Sequence, residues 1–355
     1  MKTKFLGTAI GSMPFENPDY AVEVSLKNLE NAPIWPQLPK LGLREQMEIQ
    51  YSEGIPSGVI DYEKGRMYFD TSVDYSELFA DFYEKYMTAM DPDEGNGDCS
   101  SMAISEDFSK GIYALEKVLK QKNTKLPFVK VQTTGPCSFA LTLVDENKRA
   151  IYYNDEFRDV IIKSLAMKCR WQIQKFQPYA ETVICFIDEP ILSAFGSSTY
   201  VSVNREDVVA ALSEVIDAVH ADNALAGIHC CGNTDWSILI DAGVDIVNFD
   251  AFAYGDTIAM YAGHVKKHLE KGGMLAWGVV PTSKTVRDQT VETLEAQLEM
   301  VMDGLAAKGI SKTLITEQAI ITPSCGTGSL ETEDAEKVFK LVHDLSIRMK
   351  TKYGF

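Results

Sequence analysis

Seven short β-rich runs recur along the chain, and they constrain its fold more than any other feature. They are Phe5–Ile10, 127–136 (PFVKVQTTGP), 182–190 (TVICFIDEP), 225–231 (LAGIHCC), 244–252 (VDIVNFDAF), 274–280 (MLAWGVV) and 313–321 (TLITEQAII). Runs such as VICFI and DIVNF are apolar on successive residues, so both strand faces must be covered, as in a parallel sheet sheathed by helices. Longer amphipathic segments follow most of the runs. One spans about 152–177; another, about 205–220, sets Val208, Leu212, Val215 and Val219 on one helical face. Asn17-Pro18 opens a helix, because the asparagine can cap free amides and proline suits the first helical position. Glu333–Lys350 reads as a closing helix. Strand–helix alternation of this kind predicts an α/β fold with a parallel sheet. A weaker strand near 58–70 brings the count to eight, so a (β/α)8 TIM barrel is the expected architecture, one catalytic domain over 1–355. Residues 31–110 have weak periodicity, with Pro33, Pro36 and Pro39 early and a polar DPDEGNGD run (91–98) late. They read as an insertion after the first strand, lying over the barrel mouth. An open doubly wound sheet is the alternative, but no G-x-G-x-x-G turn follows the first run.

Charge narrows the partners. The 355 residues carry 34 Lys+Arg against 51 Asp+Glu, a formal net charge of −17. A nucleic-acid binder needs a basic footprint to displace phosphate counterions, and none is visible. Anionic membrane surfaces are disfavoured for the same reason, and no run approaches the roughly 20 apolar residues of a membrane span. The opening MKTKFLGTAIGSMPF is broken by Gly7, Gly11 and Pro14 and has no signal-peptide apolar core. Seven cysteines in so long a chain are too sparse for a secreted disulfide scaffold. The expectation is a cytoplasmic protein with reduced thiols, acting on small molecules or with another protein.

The chemistry concentrates in I-H-C-C-G-N (228–233). Side chains two apart on a strand point the same way, so His229 and Cys231 share a face and Cys230 opposes them. They lie at the end of a barrel strand, where such enzymes keep their active sites. Asp250 ends the next run, and Cys325 follows the last one in TPSCGTG. Imidazole, two thiolates and a carboxylate at one rim make a zinc set, since zinc takes nitrogen, sulfur and oxygen ligands tetrahedrally. The plain alternative is packing, because free cysteine is often buried simply as a small hydrophobe. The DPDEGNGD run fails as a calcium loop: Gly95 and Asn96 are misplaced and Met102 stands where the closing Glu belongs. No P-loop or nucleophile elbow is present.

IGSMP (10–14), TTGP (133–136), FIDEP (186–190), IHCCGN (228–233), GVV (278–280) and PSCG (323–326) follow one another in a distinctive order. In this the chain resembles the catalytic barrel of cobalamin-independent methionine synthase and the corrinoid:thiol methyltransferases, within the uroporphyrinogen-decarboxylase-like superfamily. The resemblance spans nearly the whole sequence and implies a barrel whose zinc (Zn2+) activates a thiol. His229, Cys231 and Cys325 fall on the family's metal ligands, and Asp250 falls where the full-length synthase has a ligating glutamate. Asp188 and Glu189, by themselves rim carboxylates capping a helix, become candidate catalytic residues. The resemblance points Asp188 at the amino group of an amino-acid substrate and Ile10, Gly11 and Ser12 at its carboxylate. The resemblance also offers Glu53 in YSEGIPSG as a candidate counterpart of a substrate-binding glutamate that the family carries after the first strand.

Two departures bear on the methyl donor. The synthase has a histidine proton donor soon after its GV strand, and GVVPTSKT (278–285) contains none. The N-terminal barrel that helps hold folate has no counterpart in these residues. Both favour a methylcorrinoid donor, free or on a corrinoid protein. The expected function is therefore zinc-dependent methyl transfer to a thiol, with homocysteine giving methionine. Coenzyme M or another thiol as acceptor, or methyltetrahydrofolate as donor, remain open within the same fold. Porphyrinogen decarboxylation or a non-catalytic zinc or corrinoid binder are the alternatives of another class.

Overall fold

A computed structural model describes residues 2–90 and 97–355, so most of the polar 91–98 run lies outside the described residues. Seven strands form one all-parallel sheet: β1 (Leu6–Gly7), β2 (Leu126–Thr134), β3 (Ala180–Asp188), β4 (Leu225–Cys230), β5 (Ile246–Phe249), β6 (Met274–Val280) and β7 (Ala319–Pro323). Their spatial order is β1-β7-β6-β5-β4-β3-β2, so every step from β2 to β7 joins neighbours and the first strand pairs with the last. The sheet edges are thus β1 and β2. Between them runs 31–37, which makes single parallel bridges to both sides, Ser12↔Gln37 and Ile34↔Lys130. Pro33 and Pro36 supply no amide hydrogen, which keeps this segment from forming a full ladder.

Helices occupy the connections, each with a local reason to start. Asn17 accepts from Tyr20 N (3.1 Å) to cap Pro18–Asn28, Asn154 caps Asp155–Phe176 and Asn204 caps Arg205–Ala221. Asp155 and Glu156, like Glu206 and Asp207, put negative charge in the first turn, where the helix dipole favours it. The closing helix, Thr332–Tyr353, ends at Gly354 in the left-handed region. These helices match the sequence periodicity within a few residues.

Two expectations need correction. The 58–70 region is a hairpin, Gly58–Asp61 against Arg66–Phe69, which joins Val144–Asp145 in a separate three-stranded sheet. Its turn is set by Asp61 accepting from Lys64 N and by Gly65 at φ 60°. It is not a strand of the large sheet. The 313–321 run is helical over Lys312–Glu317, and its strand begins only at Ala319. Of the 31–110 segment, residues near 39–47 border the site. Helix Ser76–Met90 packs on Asp155–Phe176, and Lys110–Leu119 packs on Pro18–Asn28.

The core has two layers. The outer one lies between strands and helices; the inner one consists of Leu6, Ile10, Ala32, Ile184, Phe186, Ile246, Met274, Ala276 and Ile320. These inner residues come from five strands, from the segment after β1 and from 31–37, so the concave face of the curled sheet is itself packed. Gly227 is required here, because a Cβ would meet the Phe186 ring at 2.4 Å. Above this apolar floor the inward residues turn polar: Lys130, Gln132, Asp188, His229, Asn248 and Thr322, all buried. Register puts Thr134, Asp188, His229, Asn248 and Ala276 side by side on one rung. Among the described residues no helix is long and apolar enough to cross a membrane.

Candidate metal centre

His229 Nε2 or Nδ1, Cys231 Sγ and Cys325 Sγ offer ligand atoms that all lie within 4.8 Å of one another. His229 stands on β4 with Cys231 just past its end, while Cys325 follows β7 on the far side of the sheet. The imidazole is 2% exposed, and its orientation is fixed from behind. Nδ1 lies 2.5 Å from Asn248 Oδ1. Asn248 Nδ2 in turn donates to Ala276 O (2.9 Å) and Thr322 Oγ1 (2.8 Å), so its amide can present only oxygen to the ring. Nδ1 therefore carries the hydrogen and Nε2 the lone pair. That Nε2 is buried with no hydrogen-bond partner. An orphaned acceptor beside two thiols is the expected state of a ligand awaiting a cation.

The two sulfurs divide one charge. The neighbouring Cys325 thiol and the His229 ring hold Cys231 down to about 4. Cys325 is pushed up by the adjacent Cys231 sulfur and by burial. Cys231 is thus a thiolate at neutral pH, the form that binds metal. Cys230 faces away, and burial drives it up to about 12.

A cavity of about 540 Å³ opens above these ligands, lined by Ile10, Ser12, Gln37, Glu45, Asp188, His229, Cys231 and Cys325, with Lys40 and Met47 toward the outside. Asp188 ends β3, is 5% exposed, and its Oδ1 has no hydrogen-bond partner. Burial raises it to about 6, against the pull of Lys130 and His229. Ser12 is tied to the Cys325 loop: its carbonyl accepts from Thr327 N (2.8 Å) and its Oγ from Gly328 N (3.3 Å).

Three expected site residues are placed elsewhere. Glu189 is fully buried and does not line the cavity. Its Oε1 accepts from Cys137 N (2.9 Å) and its Oε2 from Ser138 N (2.8 Å) and Ser138 Oγ (2.7 Å), capping helix Pro136–Thr142. This explains Gly135 in TTGP, where a Cβ would meet the Glu189 carboxylate at 2.2 Å. Glu53 accepts from Ser105 N (2.7 Å) and Ser105 Oγ (2.6 Å), tying two parts of the long connection together away from the cavity. Asp250 caps the short helix Ala251–Tyr254 by accepting from Ala253 N (2.8 Å), and lies outside the three-ligand group. The glutamate that does border the cavity is Glu45, although its oxygens already accept from Lys110 N (2.9 Å) and Gln50 Nε2 (3.2 Å). Asn248 and Lys130 went unrecognised in the sequence. Their signal was a single polar residue inside an otherwise apolar strand run, IVNF and PFVKV.

The site and sheet define an α/β protein with a His/Cys/Cys metal-ligand group at the C-terminal ends of parallel strands. No family model matches the sequence, and no curated protein matches it. Among solved structures, the crystal structure of A. niger ochratoxinase is similar at 14% identity, covering 52% of this chain and 43% of that one, with a TM-score of 0.28. The chain thus spans less than half the length of that protein, and so distant a likeness carries no argument about fold or function.

Proposed function

We propose that this chain is a zinc-dependent methyltransferase that moves a methyl group from a methylcorrinoid to a thiol, with homocysteine as acceptor and methionine as product. The observation that carries the reading is the pair of buried, unpartnered atoms facing one cavity, His229 Nε2 and Asp188 Oδ1, beside Cys231 and Cys325. Two orphaned acceptors, one suited to a metal and one to an ammonium, fit a metal-bound thiol that also bears an ammonium. The ordered motifs shared with the methionine-synthase barrels support the same assignment. They also support closure of the sheet into a (β/α)8 barrel, with 31–37 as the missing strand between β1 and β2.

His229, Cys231 and Cys325 would hold the metal, leaving a fourth position for the acceptor sulfur. Zinc held by these residues would supply the charge that keeps a bound thiol deprotonated at neutral pH, and Cys231 and Cys325 as thiolates would balance that charge. The rest falls to the chain. Asp188 orients the acceptor by its ammonium, and the Ile10–Ser12 segment takes the carboxylate. The outer cavity, bordered by Lys40 and Met47, is left for the donor. A corrinoid leaves without needing a proton. A folate amine needs one, and Glu189, which does not line the cavity, is committed to a helix cap.

The test is anaerobic incubation of metal-quantified protein with homocysteine and either methylcobalamin or methyltetrahydrofolate, followed by measurement of methionine. Methionine from methylcobalamin is expected. Faster turnover with the folate overturns the donor assignment, and transfer to coenzyme M in preference to homocysteine overturns the acceptor.

A further inference from the structure

A lysine on the edge strand β2 is buried on the concave side of the sheet, among Ile10, Gln132 and Phe186. Lys130 is fully buried on β2, and its Nζ donates to Ile10 O and to Gln132 Oε1 (3.1 Å). The ammonium also lies 4.6 Å from the centre of the Phe186 ring, whose face favours a cation. Burial pulls Lys130 down to about 8, while Asp188 draws it back up, so it is mostly charged at neutral pH. A buried ammonium is costly to desolvate, as is any interior ion. A polar but uncharged residue would satisfy the same two acceptors more cheaply. The charge itself therefore calls for an explanation.

The backbone above it supplies one. All three carbonyls of Ile10–Ser12 are already engaged: Ile10 O by Lys130, Gly11 O by Gln37 N (3.1 Å) and Ser12 O by Thr327 N (2.8 Å). Among the described residues no partner takes the amides of Gly11 or Ser12. Carbonyls tied down and amides left free make a concave positive end, the arrangement that receives an anion. Ile10 and Ser12 both border the cavity.

We infer that Lys130 is a positioning residue and buried countercharge for the carboxylate of an amino-acid thiol, acting through the Ile10–Ser12 backbone. This rests on the proposed acceptor. Lys130 holds the Ile10 carbonyl, the planar trans peptide turns the Gly11 amide the opposite way, and the lysine charge offsets the anion bound there. Asp188 meets the ammonium of the same molecule, so the two buried charges match a zwitterion end to end.

Isothermal titration calorimetry of zinc-loaded protein, run anaerobically, tests this with three thiols. L-Homocysteine carries both charged groups, 3-aminopropane-1-thiol lacks the carboxylate, and 4-sulfanylbutanoic acid lacks the amine. Lys130→Met should weaken homocysteine and 4-sulfanylbutanoic acid by about 10-fold or more, the scale of a charged hydrogen bond, and leave the aminothiol unchanged. Lys130→Gln, which keeps a donor but no charge, should behave alike and serves if the methionine variant does not fold. Equal losses for all three thiols, or no loss for homocysteine, overturn the role of Lys130. If the wild type binds homocysteine no better than the aminothiol, the amino-acid acceptor itself is wrong, which the variants cannot mimic.

Discussion

Replacing Asn248 by leucine should empty the metal centre without touching a ligand. The side chain is fully buried, and its Oδ1 is the acceptor for His229 Nδ1 at 2.5 Å. Leucine is similar in size but accepts nothing. His229 is 2% exposed, so no solvent replaces the lost acceptor. The imidazole must then leave Nδ1–H unsatisfied, at a cost of about 1–3 kcal/mol, or move its hydrogen to Nε2. The second course blocks the lone pair that faces Cys231 and Cys325. Partners of metal-bound histidines are worth about 10–100-fold in metal affinity, and the rigid backing by Ala276 O and Thr322 Oγ1 argues for the upper part of that range. The assay is competition for zinc against a chromogenic chelator, with thermal unfolding run in parallel. Asn248→Asp, which retains an acceptor toward the ring, should lose less affinity than Asn248→Leu. A folded Asn248→Leu protein with the wild-type zinc affinity would falsify the claim that this amide sets the tautomer.

Cys231→Ser and Cys325→Ser should each lose most of the bound zinc by elemental analysis while melting close to wild type, since a core of this extent does not depend on metal to fold; full retention in both would remove the ligand set. Asp188→Asn should raise the homocysteine KM by about 10-fold or more and barely affect 4-sulfanylbutanoic acid, which has no ammonium to lose; equal effects on both would reject the contact. Burial lifts Glu189 from 4.5 to about 7, so the folded state holds the proton more tightly and the favourable contribution is lost as pH rises through about 7. Glu189→Gln should therefore flatten the decline in stability between pH 5 and 8 by up to roughly 3 kcal/mol, measured by urea unfolding; parallel pH profiles would refute it.

The parts of this fold that were legible in the sequence are those where one physical signal acted alone. Strands buried on both faces announce themselves by unbroken apolar runs, as in β3 and β6, and the first helix by its cap Asn17. The run at 313–321 misled because two signals competed. Its threonines and isoleucines favour a strand, yet Thr316 Oγ1 bonds back to Lys312 O (3.0 Å), which accommodates threonine in a helical turn. The segment 31–37 was unreadable for the opposite reason: Pro33 and Pro36 argue against a strand, and what it makes is two single bridges. The hairpin at 58–69 shows alternation without showing which sheet it joins. In the site, His229, Cys231 and Cys325 were recoverable because motif spacing and strand ends coincide. Glu189 and Asp188 are adjacent in sequence but point to opposite faces of a strand end. Only register and packing reveal that one borders the cavity and the other caps Pro136–Thr142.

The placement of the ligands has a consequence for how the protein is made. His229 and Cys231 belong to β4, but Cys325 follows β7, which must first dock between β6 and the opening strand β1. A chain emerging from the ribosome therefore carries two ligands for nearly a hundred residues of synthesis, and two donors hold a cation far more weakly than three. The third arrives only as the N-terminal strand gains its neighbour. Completion of the three-residue group and pairing of the first strand with the last are thus a single event, and a partly assembled chain presents only two of the three ligand atoms.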